Sequence, residues 1–168
     1  VALSLPGVQF RLIATPWSPP ALMKSNGDMN RGGKVLDCYK KTWARYYCRY
    51  VKEYAKEGVS IWGVTVQNEP EATQIWDSCC YTAEEERDFI KHYLGPTLEE
   101  EGLAHIKILA WDHNRDRLYQ RAKVILSDPV AARYVWGMAF HWYSGDQFEN
   151  VAKVSTEFPD KKLILTEA

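Results

Sequence analysis

Gly58-Val-Ser-Ile-Trp-Gly-Val-Thr-Val-Gln-Asn-Glu-Pro-Glu71 is the stretch on which the architecture turns. Val59 to Val66 is short, β-branched and almost uniformly apolar, the composition of a parallel strand covered on both faces. It stops at Gln67, Asn68 and Glu69, and Pro70, with no amide hydrogen to give a ladder, ends the strand. Parallel α/β folds place their chemistry at the carboxyl ends of strands. A carboxylate beside an amide at such an end is the pairing expected of an acid/base group and a binder of a substrate hydroxyl.

Other strands of the same kind lie to either side. Phe10 to Ala14 reads as a strand entering Thr15-Pro-Trp-Ser-Pro-Pro20, a loop stiffened by three prolines that holds Trp17. Asn26 to Lys34, rich in Gly and Asn, is a loop. From Tyr39 to Glu57 the residues Tyr39, Trp43, Tyr46, Tyr47, Tyr50, Val51 and Tyr54 recur at helical spacing. That stripe reads as packing, with Gly58 as the residue that ends the helix. Thr82-Ala-Glu-Glu85 has the form of a capping box, and the helix it starts is expected to run past Gly95-Pro96 to Gly102 with a kink. Ile106 to Trp111 is another buried-strand run, followed by a polar loop, Asp112 to Asp116. Leu118 to Leu126 marks a helix and Asp128-Pro129 caps a short one. Gly137 to Tyr143 is a strand, a helix through Phe148 and Val154 follows, and Lys162 to Ala168 is the last strand.

Strands alternating with helices imply a parallel sheet with right-handed crossovers. The polar or aromatic clusters Trp17, Asn68/Glu69, Asp112/His113, His141/Trp142 and Glu167 all fall at strand carboxyl ends. A barrel would gather them on one face; an open sheet would spread them along an edge. No GxGxxG follows the first strand and there is no P-loop, which disfavours a nucleotide-binding sheet.

The totals exclude several classes. With 168 residues, net charge −1 and 46% hydrophobic residues, the chain suits one globular unit, neither disordered nor nucleic-acid-binding by bulk charge. No apolar run approaches the ~18 residues that cross a bilayer. Seven Trp and ten Tyr serve cores, yet exposed aromatic faces also stack on sugar rings, and composition does not separate the two uses. Cys38, Cys48, Cys79 and Cys80 lack a metal-binding spacing and read as structural or incidental thiols, which leaves the redox compartment undecided. Val1 to Val8 lacks the basic start of a signal peptide and there is no initiator Met, so the chain reads as part of a longer protein.

Glu69 and Glu167, each ending an apolar strand, are the residue types glycoside hydrolysis needs. One carboxyl gives a proton to the leaving oxygen while the other, ionised, attacks or activates water. Either alone could be an ordinary strand-end carboxylate in a salt bridge. His141 beside Trp142, taken alone, reads as a hydrogen-bonded core histidine next to a packing indole. Asp112, His113 and Asp116 hint at a metal, but as single residues on a loop they lack a ligand spacing. Arg115 and Arg117 are too few for a nucleic-acid patch.

From Phe10 to Ala168 the chain resembles glycoside hydrolase family 30, the glucosylceramidase-like and endo-β-1,6-glucanase-like enzymes. The residues that carry the resemblance are Thr15-Pro-Trp-Ser-Pro-Pro, Asn26-Gly with Gly32-Gly33, Thr65-Val-Gln-Asn-Glu-Pro, Glu86-Arg-Asp-Phe-Ile with Leu94-Gly-Pro-Thr-Leu, His141-Trp-Tyr and Thr166-Glu-Ala. Asn-Glu-Pro alone recurs in related families; the ordered set is specific. The resemblance implies a (β/α)8 TIM barrel, present in this chain in part as about its third to seventh strands. Residues 1–168 would then be a piece of the catalytic domain without the first two strands, the eighth strand and the accessory β-domain. A full barrel takes about 250 residues, and an open remnant would expose two strand edges.

The resemblance also implies roles. Glu69 would be the general acid/base and Glu167 the nucleophile of a retaining mechanism on β-linked glucose. Asn68 would bind the sugar 2-hydroxyl, with Trp17, His141, Trp142 and Tyr143 lining the sugar subsite. No metal or organic cofactor is expected, and the expected partner is a β-glucoside, a β-glucan or glucosylceramide, not nucleic acid. By analogy the location would be extracellular or periplasmic; oligomeric state is not legible. The competing expectation is an inactive or non-catalytic carbohydrate-binding fragment of such an enzyme.

Overall fold

The computed structural model describes residues 6, 7 and 9–168. Five strands, β1 (Leu12–Ala14), β2 (Ile61–Thr65), β3 (Lys107–Asn114), β4 (Val135–His141) and β5 (Lys162–Glu167), form one parallel sheet whose spatial order follows chain order. Between them run α1 (Lys40–Lys56), α2 (Ala83–Phe89), α3 (Gly95–Glu100), α4 (Leu118–Leu126), α5 (Pro129–Tyr134) and α6 (Phe148–Glu157). The arrangement is a partial β/α barrel. Its middle strands are the most deeply covered: all of β4 but Trp136 and the central residues of β3 are buried, as continuous apolar runs require. Among the described residues no helix is long and apolar enough to cross a membrane.

Local signals act where the sequence puts them. Gly58, at φ +77°, ends α1, and the amides of Gly58 and Val59 return to the carbonyls of Ala55 and Tyr54. Thr82 and Glu85 form the reciprocal capping box that starts α2. Asp128 accepts from the amides of Val130 and Ala131 to start α5. Lys91 and these amides hold its carboxyl down at about 2.

Several expectations are corrected. On α1 the buried side is Trp43, Ala44, Tyr47, Cys48 and Val51, while Tyr46, Tyr50 and Tyr54 are exposed. The tyrosine half of the stripe therefore lies beside the packed face, and Tyr50 and Tyr54 stack on each other at 4.3 Å. The expected kink before Gly95 is a π-helical turn, Ile90–Leu94, which absorbs an extra residue without breaking the helix at Pro96. The loop expected at Asp112 to Asn114 is strand: β3 continues through it with a bulge between Trp111 and His113. Strand β4 in turn runs two residues earlier than expected and ends at His141.

The four cysteines are free thiols; burial pushes Cys48 up to about 11 and Cys79 up to about 12, so both stay un-ionised near neutrality.

Gly95 lies where α3 meets the Tyr134 ring, and a Cβ there would fall inside van der Waals contact with that ring. Alanine at this position gains helix propensity, about 1 kcal/mol, but overpacks by roughly 1–3 kcal/mol. Gly95→Ala is therefore expected to lower the urea midpoint, and Gly95→Ala/Tyr134→Ala to recover part of the loss. A more stable single variant would contradict the contact.

Candidate active site

The carboxyl ends of β2, β3, β4 and β5 meet around one imidazole. His141, the last residue of β4, has no exposed surface. Its Nε2 lies 3.1 Å from Asp112 Oδ1, and its Nδ1 lies 3.3 Å from Glu69 Oε1. Glu167 Oε1, at the end of β5, is 3.8 Å from Nε2. Tyr143 joins from beyond β4, its hydroxyl donating to Glu167 Oε2 at 3.4 Å and its amide to Asn114 Oδ1 at 2.9 Å.

Backbone conformation sets these positions. Glu69, Trp111 and Asp112 all have positive φ, at 46°, 77° and 53°, a region that residues with side chains enter at a cost of order 1–3 kcal/mol. The turned main chains bond each other: the Glu69 amide donates to the Asp112 carbonyl at 2.9 Å, and the Asn68 amide to the Pro16 carbonyl at 2.9 Å. Buried Gln67 adds a side-chain tie, its Nε2 donating to the carbonyls of Trp17 and Asn68 at 2.7 and 2.9 Å. The Asn-Glu-Pro turn is thereby locked to the proline-rich loop after β1 and to the end of β3. Thr166 Oγ1 donates to Asp112 Oδ1 at 2.7 Å, which fixes β5 to the same carboxylate.

Of the residues expected at a site, Glu69, His141, Tyr143 and Glu167 come into direct contact. Asn68 is buried next to Glu69, with no hydrogen-bond partner for its Oδ1 among the described residues. Trp17 is tied in through its carbonyl and is 42% exposed, and Trp142 follows His141 and is 52% exposed. The sequence offers Asp112 only as a weak hint of a metal and gives no role to Thr166 or Gln67, although the strand-end position of Asp112 and the Thr-Glu-Ala motif are both visible in it. His113 was grouped with Asp112 and Asp116; the fold instead puts its Nδ1 3.7 Å from Glu69 Oε1. Glu69, His113 and His141 each bring a donor atom within 4.8 Å of the others, the one such group among the described residues that could hold a metal ion. It draws on three strand ends, so no spacing in the chain announces it.

The two histidines are pushed apart electrically. Burial pulls His141 down, but the hydrogen bond and charge of Asp112, with Glu167 and Glu69, outweigh it and set its pKa above 6.5. Burial also pulls His113 down, with Glu69 opposing and the His141 charge reinforcing, and there burial wins. The folded chain holds the His141 proton more tightly than the unfolded chain does. The stabilisation His141 adds is therefore full below about pH 6.5 and is lost as pH rises through its raised value. His113 has the opposite sign and costs stability as pH falls. Ring-resolved NMR titration is expected to show His141 titrating above His113, and Asp112→Asn to bring His141 down. Coincident titrations would contradict the ion-pair geometry.

Both the sequence and the fold of this chain recur in known proteins. The sequence model of the "Glycosyl hydrolase family 30 TIM-barrel domain" matches residues 3–168. The lysosomal acid glucosylceramidase of Mus musculus is 40% identical over 150 residues, 84% of this chain and 29% of that protein. The endo-1,6-β-D-glucanase of Neurospora crassa is 35% identical over 79% of this chain and 28% of its own length. The crystal structure of SrfJ from Salmonella typhimurium superposes with a TM-score of 0.88 at 42% identity, covering 91% of this chain and 34% of SrfJ. The chain thus spans about a third of the length of the relatives it matches. A family match along almost the whole chain leads to one assignment: this chain belongs to glycosyl hydrolase family 30.

Proposed function

We propose that this chain carries the reaction centre of a retaining β-glycoside hydrolase acting on β-linked glucose, with Glu69 as general acid/base and Glu167 as nucleophile. The observation that carries the reading is the shared imidazole: Glu69 Oε1 lies 3.3 Å from His141 Nδ1 and Glu167 Oε1 3.8 Å from His141 Nε2. The five strands are read as the third to seventh of a (β/α)8 catalytic domain. A β-glucoside lies over the strand ends with its anomeric carbon facing Glu167. A Glu167 oxygen attacks that carbon, the bond to the aglycone oxygen breaks, and that oxygen takes the proton held by Glu69. Glu69, now a carboxylate, removes a proton from water; the water oxygen attacks the same carbon and Glu167 departs. Two inversions retain the β configuration, and the atoms balance with water as the co-reactant.

Other residues support the reading. Buried Asn68 Oδ1, without a partner among the described residues, is an acceptor that a sugar 2-hydroxyl would satisfy. His141, held at Nε2 by Asp112, orients the Glu69 carboxylate through Nδ1. The half-exposed rings of Trp17 and Trp142 offer faces for stacking on the sugar, and Tyr143 orients Glu167. The relatives' names, glucosylceramidase and endo-1,6-β-D-glucanase, support glucosylceramide or β-1,6-glucan as the substrate class.

Incubation with a 2-deoxy-2-fluoro-glucosyl donor, followed by intact mass and peptide mapping, tests the assignment. The expected result is one glucosyl adduct, on Glu167. Glu69→Gln is expected to lower turnover of an unactivated β-glucoside by roughly 10²–10⁴-fold. An adduct on another carboxylate would remove the nucleophile role from Glu167, and equal turnover by Glu69→Gln would remove the acid/base role from Glu69. A chain that melts cooperatively yet takes no label would be a stable partial barrel without catalysis.

A further inference from the structure

We propose that Glu86, on α2, is a positioning residue for this centre: its buried carboxylate holds the Trp111 main chain in the bulge that delivers Asp112 to His141. The consequence for catalysis rests on the glycosidase reading above; the positioning itself rests on geometry. Glu86 has no exposed surface, and its Oε1 accepts the Trp111 amide at 2.7 Å. That amide belongs to the first of two consecutive left-handed residues, Trp111 and Asp112, at the bulge in β3. The last β2 residue paired with β3 faces Leu109, so past that point β3 lacks a strand partner on its β2 side. A carboxylate from a helix supplies a strong acceptor there. Two adjacent left-handed residues with side chains persist only where the surroundings over-determine them.

Trp111 is gripped a second time through its ring. Arg121, on α4 and 2% exposed, lays its guanidinium 4.7 Å from the Trp111 ring centroid. The same guanidinium lies 3.3 Å from Glu86 Oε2 and donates to the Tyr81 carbonyl at 2.5 Å. Glu71, two residues beyond Glu69, is 3.4 Å from it. Trp111 Nε1 donates to the Asn114 carbonyl at 2.9 Å, which closes the bulge on itself. From this clamp the path to the centre is short. Asp112 takes His141 Nε2–H and the Thr166 hydroxyl on one oxygen, and its carbonyl takes the Glu69 amide. Release of the Trp111 amide would let Asp112 relax from the left-handed region, and both the His141 contact and the Glu69 turn would loosen together.

Two double variants isolate the acceptor. Glu86→Met/Arg121→Met removes the buried charge pair and the acceptor; Glu86→Gln/Arg121→Met removes the same charges but leaves an amide oxygen for the Trp111 amide. Apolar replacement of a buried ion pair commonly preserves the fold. The readout in the 168-residue chain is the NMR titration of His141, which is faced by Glu69, Asp112, Glu167, His113 and Tyr143. The expected result is a His141 titration moved down in the methionine variant and restored in the glutamine variant. Where the chain turns over glycoside, kcat is expected to fall at least about tenfold with KM little changed in the first variant and to recover in the second. Equal titrations in the two variants would make Glu86 a packing residue and overturn the proposal. Should the methionine variant not fold, amide exchange of the native chain decides: a Trp111 amide as slow as the most protected amides of β3 upholds the clamp, and one exchanging as fast as loop amides overturns it. The titration reads geometry whether or not the chain forms the Glu167 adduct, so failure of the clamp and failure of the glycosidase reading are told apart.

Discussion

Three carboxyl groups, those of Glu69, Asp112 and Glu167, come together on one imidazole, and His141 is the side chain that the ends of β2 to β5 share. Burial alone would lower the His141 pKa, and the hydrogen bond and charge of Asp112, with Glu167 and Glu69, raise it on balance. Its two ring nitrogens face different strands, Nε2 toward Asp112 on β3 and Nδ1 toward Glu69 beyond β2, so one ring ties both to β4. Asp112 is the fulcrum. It is almost completely buried, and its Oδ1 serves His141 and Thr166 together, so one group fixes the proton balance of β4 and the docking of β5.

The same constraint explains where backbone strain is stored. Glu69, Trp111 and Asp112 sit in the left-handed region, and the Glu69 amide bonds the Asp112 carbonyl across two strand ends. Neither turn could relax alone without breaking that bond. Gln67 then extends the lock to the loop that carries Trp17. Rigidity at the site is thus a property of main chains held by buried side-chain amides and carboxylates, with the half-exposed aromatics mounted on top.

Much of this was legible in the residues. Apolar runs with polar ends named the strands, Thr82 and Glu85 named a helix start, and Gly58 named a helix end, because each signal acts within one turn or one strand. The ordered motifs carried the family, and Asn68, Glu69, His141 and Glu167 stood out by their strand-end positions. Less was legible where the deciding partner lies far along the chain. Asp112 and His113 read as loop because a polar run after apolar residues usually leaves a strand; in this fold Glu86 from α2 and His141 from β4 hold it in place. The tyrosines of α1 matched helical spacing as well as the buried residues did, since a period of 3.6 marks a broad stripe without saying how much of it is covered. The π-turn at Ile90–Leu94 leaves no periodic trace over so few residues.

The spatial order of the strands follows chain order, so each strand pairs with its neighbour in sequence. The candidate site does not follow that order. His141 meets Glu69 across 72 residues, and Thr166 meets Asp112 across 54. The contacts that hold the site together come from the far end of the sheet: His141 ends β4 and Thr166 lies in β5, so the site draws on strands distant along the chain from the turns they fix.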